Sequence, residues 1–415
     1  MECGTRLLAD LGRLLDSDPE IDELGFLLPS QLAQLHDLPA DTVEISFAAA
    51  DTDPNAGEGS KSPCDGAGAG EYCEASWFWL RDHKLGIAVN ALRPLYTEAQ
   101  AVFSALRAEE KQCGRQENGF SKEESLLKVT RALLIVNSDY STAWNTRKRV
   151  LGKSSFSQSG MISELRLSSL VLTYAPKSEE AWAHRRWALN KIFSSTSSQS
   201  DGIIDSESKH VDAIVERSPM NYRAWRHRCW LISFMKFPRI ELELKSRDSY
   251  RCTDNCFFHY RRSMLQHLIW RQHEFYLSWR ELASMWKEEL KGNAESIKDM
   301  SFGNEALWIH RRFLAHGLLT YNELFNEFKV ERPRDKEVHG KHVLFILNEL
   351  ELAKEADTGE HSCSYKLWLL FVFRRKHDSK EVENLLLEES SAAAASTPQK
   401  ESLWKGVKGS CNFLK

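Results

Sequence analysis

The stretch Asn221-Tyr222-Arg223-Ala224-Trp225-Arg226-His227-Arg228 decides the fold, because it recurs. Two close copies are Ser178-Glu179-Glu180-Ala181-Trp182-Ala183-His184-Arg185 and Asn304-Glu305-Ala306-Leu307-Trp308-Ile309-His310-Arg311. Two looser ones are Tyr140-Ser141-Thr142-Ala143-Trp144-Asn145-Thr146-Arg147 and Asp254-Asn255-Cys256-Phe257-Phe258-His259-Tyr260-Arg261. Aligned, the copies form columns. The aromatic column is Trp144, Trp182, Trp225, Phe258 and Trp308, and three residues on stands an arginine in every copy: Arg147, Arg185, Arg228, Arg261 and Arg311. Four residues ahead of the aromatic come Tyr140, Ser178, Asn221, Asp254 and Asn304. All but the tyrosine are side chains that accept an orphan backbone N–H at the start of a helix. Each copy therefore reads as the opening turns of a helix, with the aromatic and the arginine on one face.

Burying a large aromatic dominates local packing energy, so the aromatic column reads first as contact between neighbouring repeats. Arginines in register beside it point to forked hydrogen bonds to a neighbour's backbone or carboxylate. Histidine stands in the same place in the closest copies, His184, His227 and His310. Packing alone does not require it there.

Working outward, the aromatics are 38, 43, 33 and 50 residues apart. The shortest step is near the roughly 34 residues of a two-helix repeat. Pro176 and Pro219 fall in the turns ahead of two copies, where a helix must stop. The serine-rich stretch 194–208 reads as an insertion, and the segment 272–300, with Trp279 and Trp286, as an extra helix. A degenerate last unit is expected at Ser364-Tyr365-Lys366-Leu367-Trp368, with Phe371 in the arginine position; terminal repeats are commonly atypical. The fold class is an all-α helical-hairpin repeat solenoid.

The organisation that follows is an N-terminal segment over 1–49 with a helix around Leu7–Leu15, a flexible Gly/Ala/Ser-rich loop over 50–75, helical repeats over 76–380 and a low-complexity tail over 381–415. The stretch from Trp77 to Leu106 reads as helix, broken near Pro94. A chain of 415 residues exceeds a single hydrophobic core, a limit that stacked repeats escape. Net charge is −4, without the basic excess that nucleic-acid binding favours. The nine cysteines have no framework spacing, which argues against a secreted disulfide fold. Cys252 and Cys256 lie near His259, but no second ligand pair of the zinc pattern follows, so no metal site is expected. Without a basic-then-apolar leader or a spanning apolar run, a cytoplasmic location is expected.

The phrase Asn221-Tyr222-Arg223-Ala224-Trp225-Arg226-His227-Arg228-Cys229-Trp230, supported by Trp182-Ala183-His184-Arg185-Arg186-Trp187 and Trp308-Ile309-His310-Arg311-Arg312, resembles the repeat of protein prenyltransferase alpha subunits. The resemblance covers roughly residues 84–375, and Asp82-His83-Lys84-Leu85-Gly86 points to a divergent branch of the family. It implies the alpha subunit of a heterodimeric enzyme that transfers a geranylgeranyl or related isoprenoid from its diphosphate to a C-terminal cysteine of a protein. The resemblance further implies a barrel-type beta subunit as partner, that of Rab geranylgeranyltransferase, expected to carry the zinc and the isoprenoid pocket.

The family offers the diphosphate a lysine just before Asn-Tyr of the middle repeat. That position is Met220 here, and Lys177 occupies the same column one repeat earlier. The diphosphate-side candidates are Tyr222, His227, Arg228 and Lys177. Asn221 and the remaining members of the columns, Trp144, Arg147, Trp182, His184, Arg185, Trp225, Phe258, Arg261, Trp308, His310 and Arg311, are structural. Cys411 is fifth from the end rather than fourth, so the chain is not expected to be a prenyl acceptor itself. The alternative is a non-enzymatic, tetratricopeptide-like interaction scaffold.

Overall fold

The computed structural model describes residues 2–36, 77–112, 119–153, 158–195, 200–246, 254–299, 305–328, 341–356 and 360–374, together with 384, 387, 388 and 391. The expected loop at 50–75, the cap Asn304 and nearly all of the expected tail at 381–415 lie outside them. The chain forms two compact units, Met1–Ser200 and Asp201–Lys415.

The first unit opens with α1 (Glu2–Ser17), β1 (Glu23–Leu27) and α2 (Pro29–His36), followed by β2 (Phe78–Arg81), β3 (Lys84–Ala88) and α3 (Val89–Gln112). The strands form a small sheet in the order β1-β3-β2, with β1 parallel and β2 antiparallel to β3. This corrects the reading of 77–106 as interrupted helix. Asp82 and His83 sit at φ 49° and 61°, the left-handed pair that a two-residue hairpin turn demands. Nor does Pro94 break α3. A proline forfeits one helical hydrogen bond, and packing of α3 against α1 and α4 (Gly119–Val136) carries the helix through.

Two hairpins complete the unit, α4 with α5 (Ser141–Lys153) and α6 (Gln158–Tyr174) with α7 (Glu179–Ser195). The sheet is anchored on α6. Thr173 Oγ1 accepts the Leu24 N–H at 3.1 Å, and Phe26 meets Tyr174 edge-on at 5.0 Å.

The second unit continues the hairpins. They are α8 (Ser200–Arg217) with α9 (Tyr222–Leu231), α10 (Phe237–Lys245) with α11 (Asn255–Trp270), α12 (Trp279–Asp299) with α13 (Glu305–Thr320), and, after the short α14 (Asn322–Glu327), α15 (Lys341–Ala356) with α16 (Glu360–Arg374). The second helices α9, α11, α13 and α16 lie side by side in that order. The helical-repeat fold predicted from the columns is thus observed, with three corrections. The serine-rich stretch is helical, forming the end of α7 and the start of α8 on either side of residues 196–199, which lie outside the described set. The segment 272–300 holds no extra helix, because α12 is the regular first helix of its hairpin; the additional one is α14. Where α12 and α13 meet, a Cβ on Gly317 would stand 2.3 Å from Trp286 Cζ2, so only glycine allows that approach.

The third correction concerns the last repeat. In every other copy the aromatic is the fourth residue of its helix; in α16 that residue is the buried Cys363. Tyr365 then takes the histidine position, Lys366 the arginine position, and Trp368 the position of Trp187, Trp230 and Phe313. The ring contacts agree, since Trp368 lies beside Tyr365 as Trp187 lies beside His184 and Phe313 beside His310.

Candidate functional site

The columns meet in a repeated buried network. In the first unit, Glu164 on α6 accepts from Arg147 Nε and Nη2 at 2.8 and 2.6 Å and pairs with His184 Nε2 at 2.8 Å. Arg147 Nη1 also donates to the Leu127 carbonyl of its own hairpin at 2.6 Å. One arginine thus ties its hairpin to the next through a shared carboxylate. In the second unit, Glu289 accepts from Arg261 Nε at 2.6 Å and Nη2 at 2.5 Å and pairs with His310 at 2.8 Å. Glu349 accepts from Arg311 Nε and Nη2 at 2.7 and 2.5 Å and from the Tyr365 hydroxyl at 2.6 Å. Glu207 pairs with His227 at 3.0 Å, while Arg228 reaches Asp212 and, at 2.9 Å, Glu243.

The aromatic column belongs to the same device. Within each unit, the ring is covered by the histidine or tyrosine of the following hairpin: Trp144 by His184 at 4.4 Å, Trp225 by Tyr260 at 5.8 Å, Phe258 by His310 at 4.8 Å and Trp308 by Tyr365 at 5.2 Å. The histidine column is therefore a structural part, and it does not distinguish an enzyme from a scaffold. The glutamates escaped the sequence reading. Their signal was nevertheless present, since Glu164 and Glu207 both stand 18 residues ahead of the repeat tryptophan and Glu289 stands 19 ahead.

Burial alone would raise the Glu164 carboxyl, but Arg147 and His184 outweigh it and hold the pKa at about 2. Arg261 and His310 do the same for Glu289, also at about 2. Burial pushes His184 and His310 below the usual imidazole value despite their carboxylate partners. Each network then holds a cation, an anion and a neutral imidazole that donates through Nε2.

Both shifts act in one direction. A histidine with a lowered folded pKa binds more protons when unfolded, so stability falls as pH drops below about 6.5. A carboxylate with a lowered folded pKa contributes stability above its unfolded value near 4.5, which is lost on the way down to about 2. The urea midpoint should decline from pH 6.5 and fall more steeply below pH 4.5. A midpoint flat from pH 7 to 4 would contradict the neutral-histidine assignment.

The sequence-nominated site residues separate by exposure. His227 and Arg228 are buried, at 0% and 5%, and are occupied in the network. Tyr222, by contrast, is 56% exposed on the first turn of α9. Asn221, fully buried, caps that turn by accepting from the Arg223 and Ala224 N–H groups at 3.2 and 3.1 Å. Met220 is 63% exposed with φ 56°, a left-handed conformation costing a side-chain-bearing residue about 1–3 kcal/mol. Lys177 is exposed in the corresponding turn of the first unit, just before the cap Ser178, whose Oγ accepts the Ala181 N–H.

Among the described residues, no group of three or more His, Cys, Asp or Glu is placed to hold a metal. Cys229 Sγ lies 3.5 Å from His259 Nδ1, and burial pushes the Cys229 and Cys256 thiols up to about 11, away from the thiolate a metal needs. Cys252 lies outside the described residues.

The protein prenyltransferase alpha subunit repeat matches residues 162–192 and 204–235, the hairpins that end in α7 and α9. The chain carries protein prenyltransferase alpha subunit repeats over those residues. It is similar to human protein prenyltransferase alpha subunit repeat-containing protein 1, 28% identical over 268 residues that make up 52% of this chain and 66% of that protein. The Xenopus laevis protein 1-A is 42% identical over 81 residues, 19% of this chain and 17% of the relative. The Danio rerio protein is 37% identical over 95 residues, 22% and 21% respectively. The chain thus matches less than two thirds of each relative's own length. Its prenyltransferase alpha subunit repeats extend in structure beyond the two matched hairpins, since the same network recurs at Glu289 and Glu349. Among the described residues, no helix is long and apolar enough to cross a membrane.

Proposed function

We propose that this chain is the alpha-type subunit of a heterodimeric, cytoplasmic protein prenyltransferase. It supports transfer of a geranylgeranyl or related group from its diphosphate to a C-terminal cysteine of a protein. The observation that carries the reading is the Asn221–Tyr222 turn, where a buried cap fixes an exposed phenol at the start of α9. In the reaction the carbon–oxygen bond to diphosphate breaks as the sulfur–carbon bond forms, and negative charge grows on the leaving diphosphate. Donors held in place beforehand stabilise that charge. Tyr222 is such a donor, and Lys177 is the exposed ammonium in the column where Met220 replaces the family lysine. His227 and Arg228 act as positioning residues that hold α9 through Glu207, Asp212 and Glu243. Zinc, the isoprenoid pocket and thiolate formation fall to the partner, the beta subunit of Rab geranylgeranyltransferase.

With that subunit bound, Tyr222→Phe and Lys177→Ala should each slow transfer by roughly tenfold, with unchanged melting temperature and subunit binding. Transfer at the wild-type rate in both variants would remove these residues from the chemistry. One observation favours the alternative, a non-enzymatic scaffold. The histidine column is consumed by buried glutamates, and the family lysine position holds methionine. A scaffold would bind partners yet yield no transfer with any beta subunit.

A further inference from the structure

Charge is segregated between the two helices of each hairpin in the second unit. The first helices α8, α10, α12 and α15 are rich in Asp and Glu. In contrast, α9 and α11 contain no acidic residue, and α13 and α16 have one each, Glu305 and Glu360, at the first position. This occurs in a chain whose net charge is −4, so it is not a global excess of cations.

The arginines of the buried column all have hydrogen-bonding partners, and in this unit each has a carboxylate. The next residue along does not follow that rule. Arg262 on α11 is half-buried, and burial lowers its guanidinium pKa with no carboxylate among the causes. Arg312 on α13 lies over the Trp368 ring at 5.9 Å, its buried Nε without a hydrogen-bond partner. Neither makes a contact ion pair with a described carboxylate; Arg312 feels only the more distant charge of Glu305, too weak to offset its burial. Leaving a partly desolvated guanidinium without an anion costs stability unless one arrives from outside. The same side-by-side helices expose Trp270 at 69% and Phe371 at 45%. Arginine and large aromatics without Asp or Glu are the composition of an interface centre rather than of a solvated helix face.

We infer that the face of α9, α11, α13 and α16 is the docking surface for the partner protein, and that the partner brings carboxylates to Arg262 and Arg312 around an apolar centre. The inference rests on the heterodimer reading and adds where the partner sits and what chemistry its surface presents. Complementary charges of this kind mostly set encounter rate and register, and they weaken with salt.

The test is binding of the full-length chain to the Rab geranylgeranyltransferase beta subunit by calorimetry at low and high salt. The proteins compared are wild type, Arg262→Glu/Arg312→Glu and Arg262→Gln/Arg312→Gln. The glutamate pair should weaken binding by at least about tenfold and the glutamine pair by about three- to fivefold, with a flatter salt dependence in both. Melting curves identify any loss of fold, and the glutamine pair stands alone if the glutamate pair unfolds. Binding and salt dependence unchanged in a folded variant would overturn the docking surface and leave the heterodimer intact. Absence of a wild-type complex would overturn the heterodimer reading and this inference with it.

Discussion

Glu289→Ala should destabilise the second unit by about 3–5 kcal/mol, the range for removing one partner of a buried ion pair. Glu289 accepts a fork from Arg261 and a bond from His310; Arg261 and His310 are buried, and the Glu289 side chain is only 9% exposed. Its removal strands a guanidinium that keeps backbone carbonyls alone, those of Leu244, Ser246 and Glu243 at 2.6, 2.9 and 3.5 Å, and orphans a buried imidazole. Glu289→Gln keeps shape and part of the hydrogen bonding and should fall between alanine and wild type. As a control, Glu274→Ala removes the exposed partner of Arg271 and should leave the urea midpoint in place. Chemical denaturation followed by circular dichroism decides; a midpoint for Glu289→Ala equal to the control would show that the carboxylate does not hold the hairpins together.

Trp225→Ala should cost a similar 3–5 kcal/mol for a different reason. The indole is 1% exposed, meets Phe257 and Tyr260, and lies 5.7 Å beneath the Arg228 guanidinium. Its Nε1 donates to Asp254 Oδ2 at 3.0 Å, and Asp254 caps the helix of the next hairpin. The alanine variant therefore opens a cavity and loosens the following repeat. Trp225→Phe loses the N–H and part of the volume but keeps a ring, and should cost about 1–2 kcal/mol. Equal stability of both variants would mean that the hydrogen bond, and not the packing, matters at this position.

The parts of the fold legible in the sequence were those fixed within one helix. The cap, the aromatic, the histidine and the arginine keep constant spacing because they share one helical opening, so Asn221, Trp225, His227 and Arg228 align by inspection. The glutamates sit on the preceding helix, across turns that differ between repeats, and their spacing drifts from 18 to 19 residues before it shortens in the last repeat. The last repeat was misregistered because Trp368 is aromatic, whereas the ring that completes the network is Tyr365. The β2–β3 hairpin was hidden because Asp82-His83 lacks the glycine that usually marks such a turn. As for the site, the sequence nominated four residues, and burial divides them into two exposed donors, Tyr222 and Lys177, and two closed positioning residues.

The most direct test of the subunit assignment is transfer of labelled geranylgeranyl from its diphosphate to a cysteine-ended protein. The reaction contains this chain, the Rab geranylgeranyltransferase beta subunit, or both. The alpha-subunit reading predicts transfer only when both chains are present, from a one-to-one complex. Transfer by this chain alone in chelator-treated buffer, or none from a stable complex of the two, would contradict it.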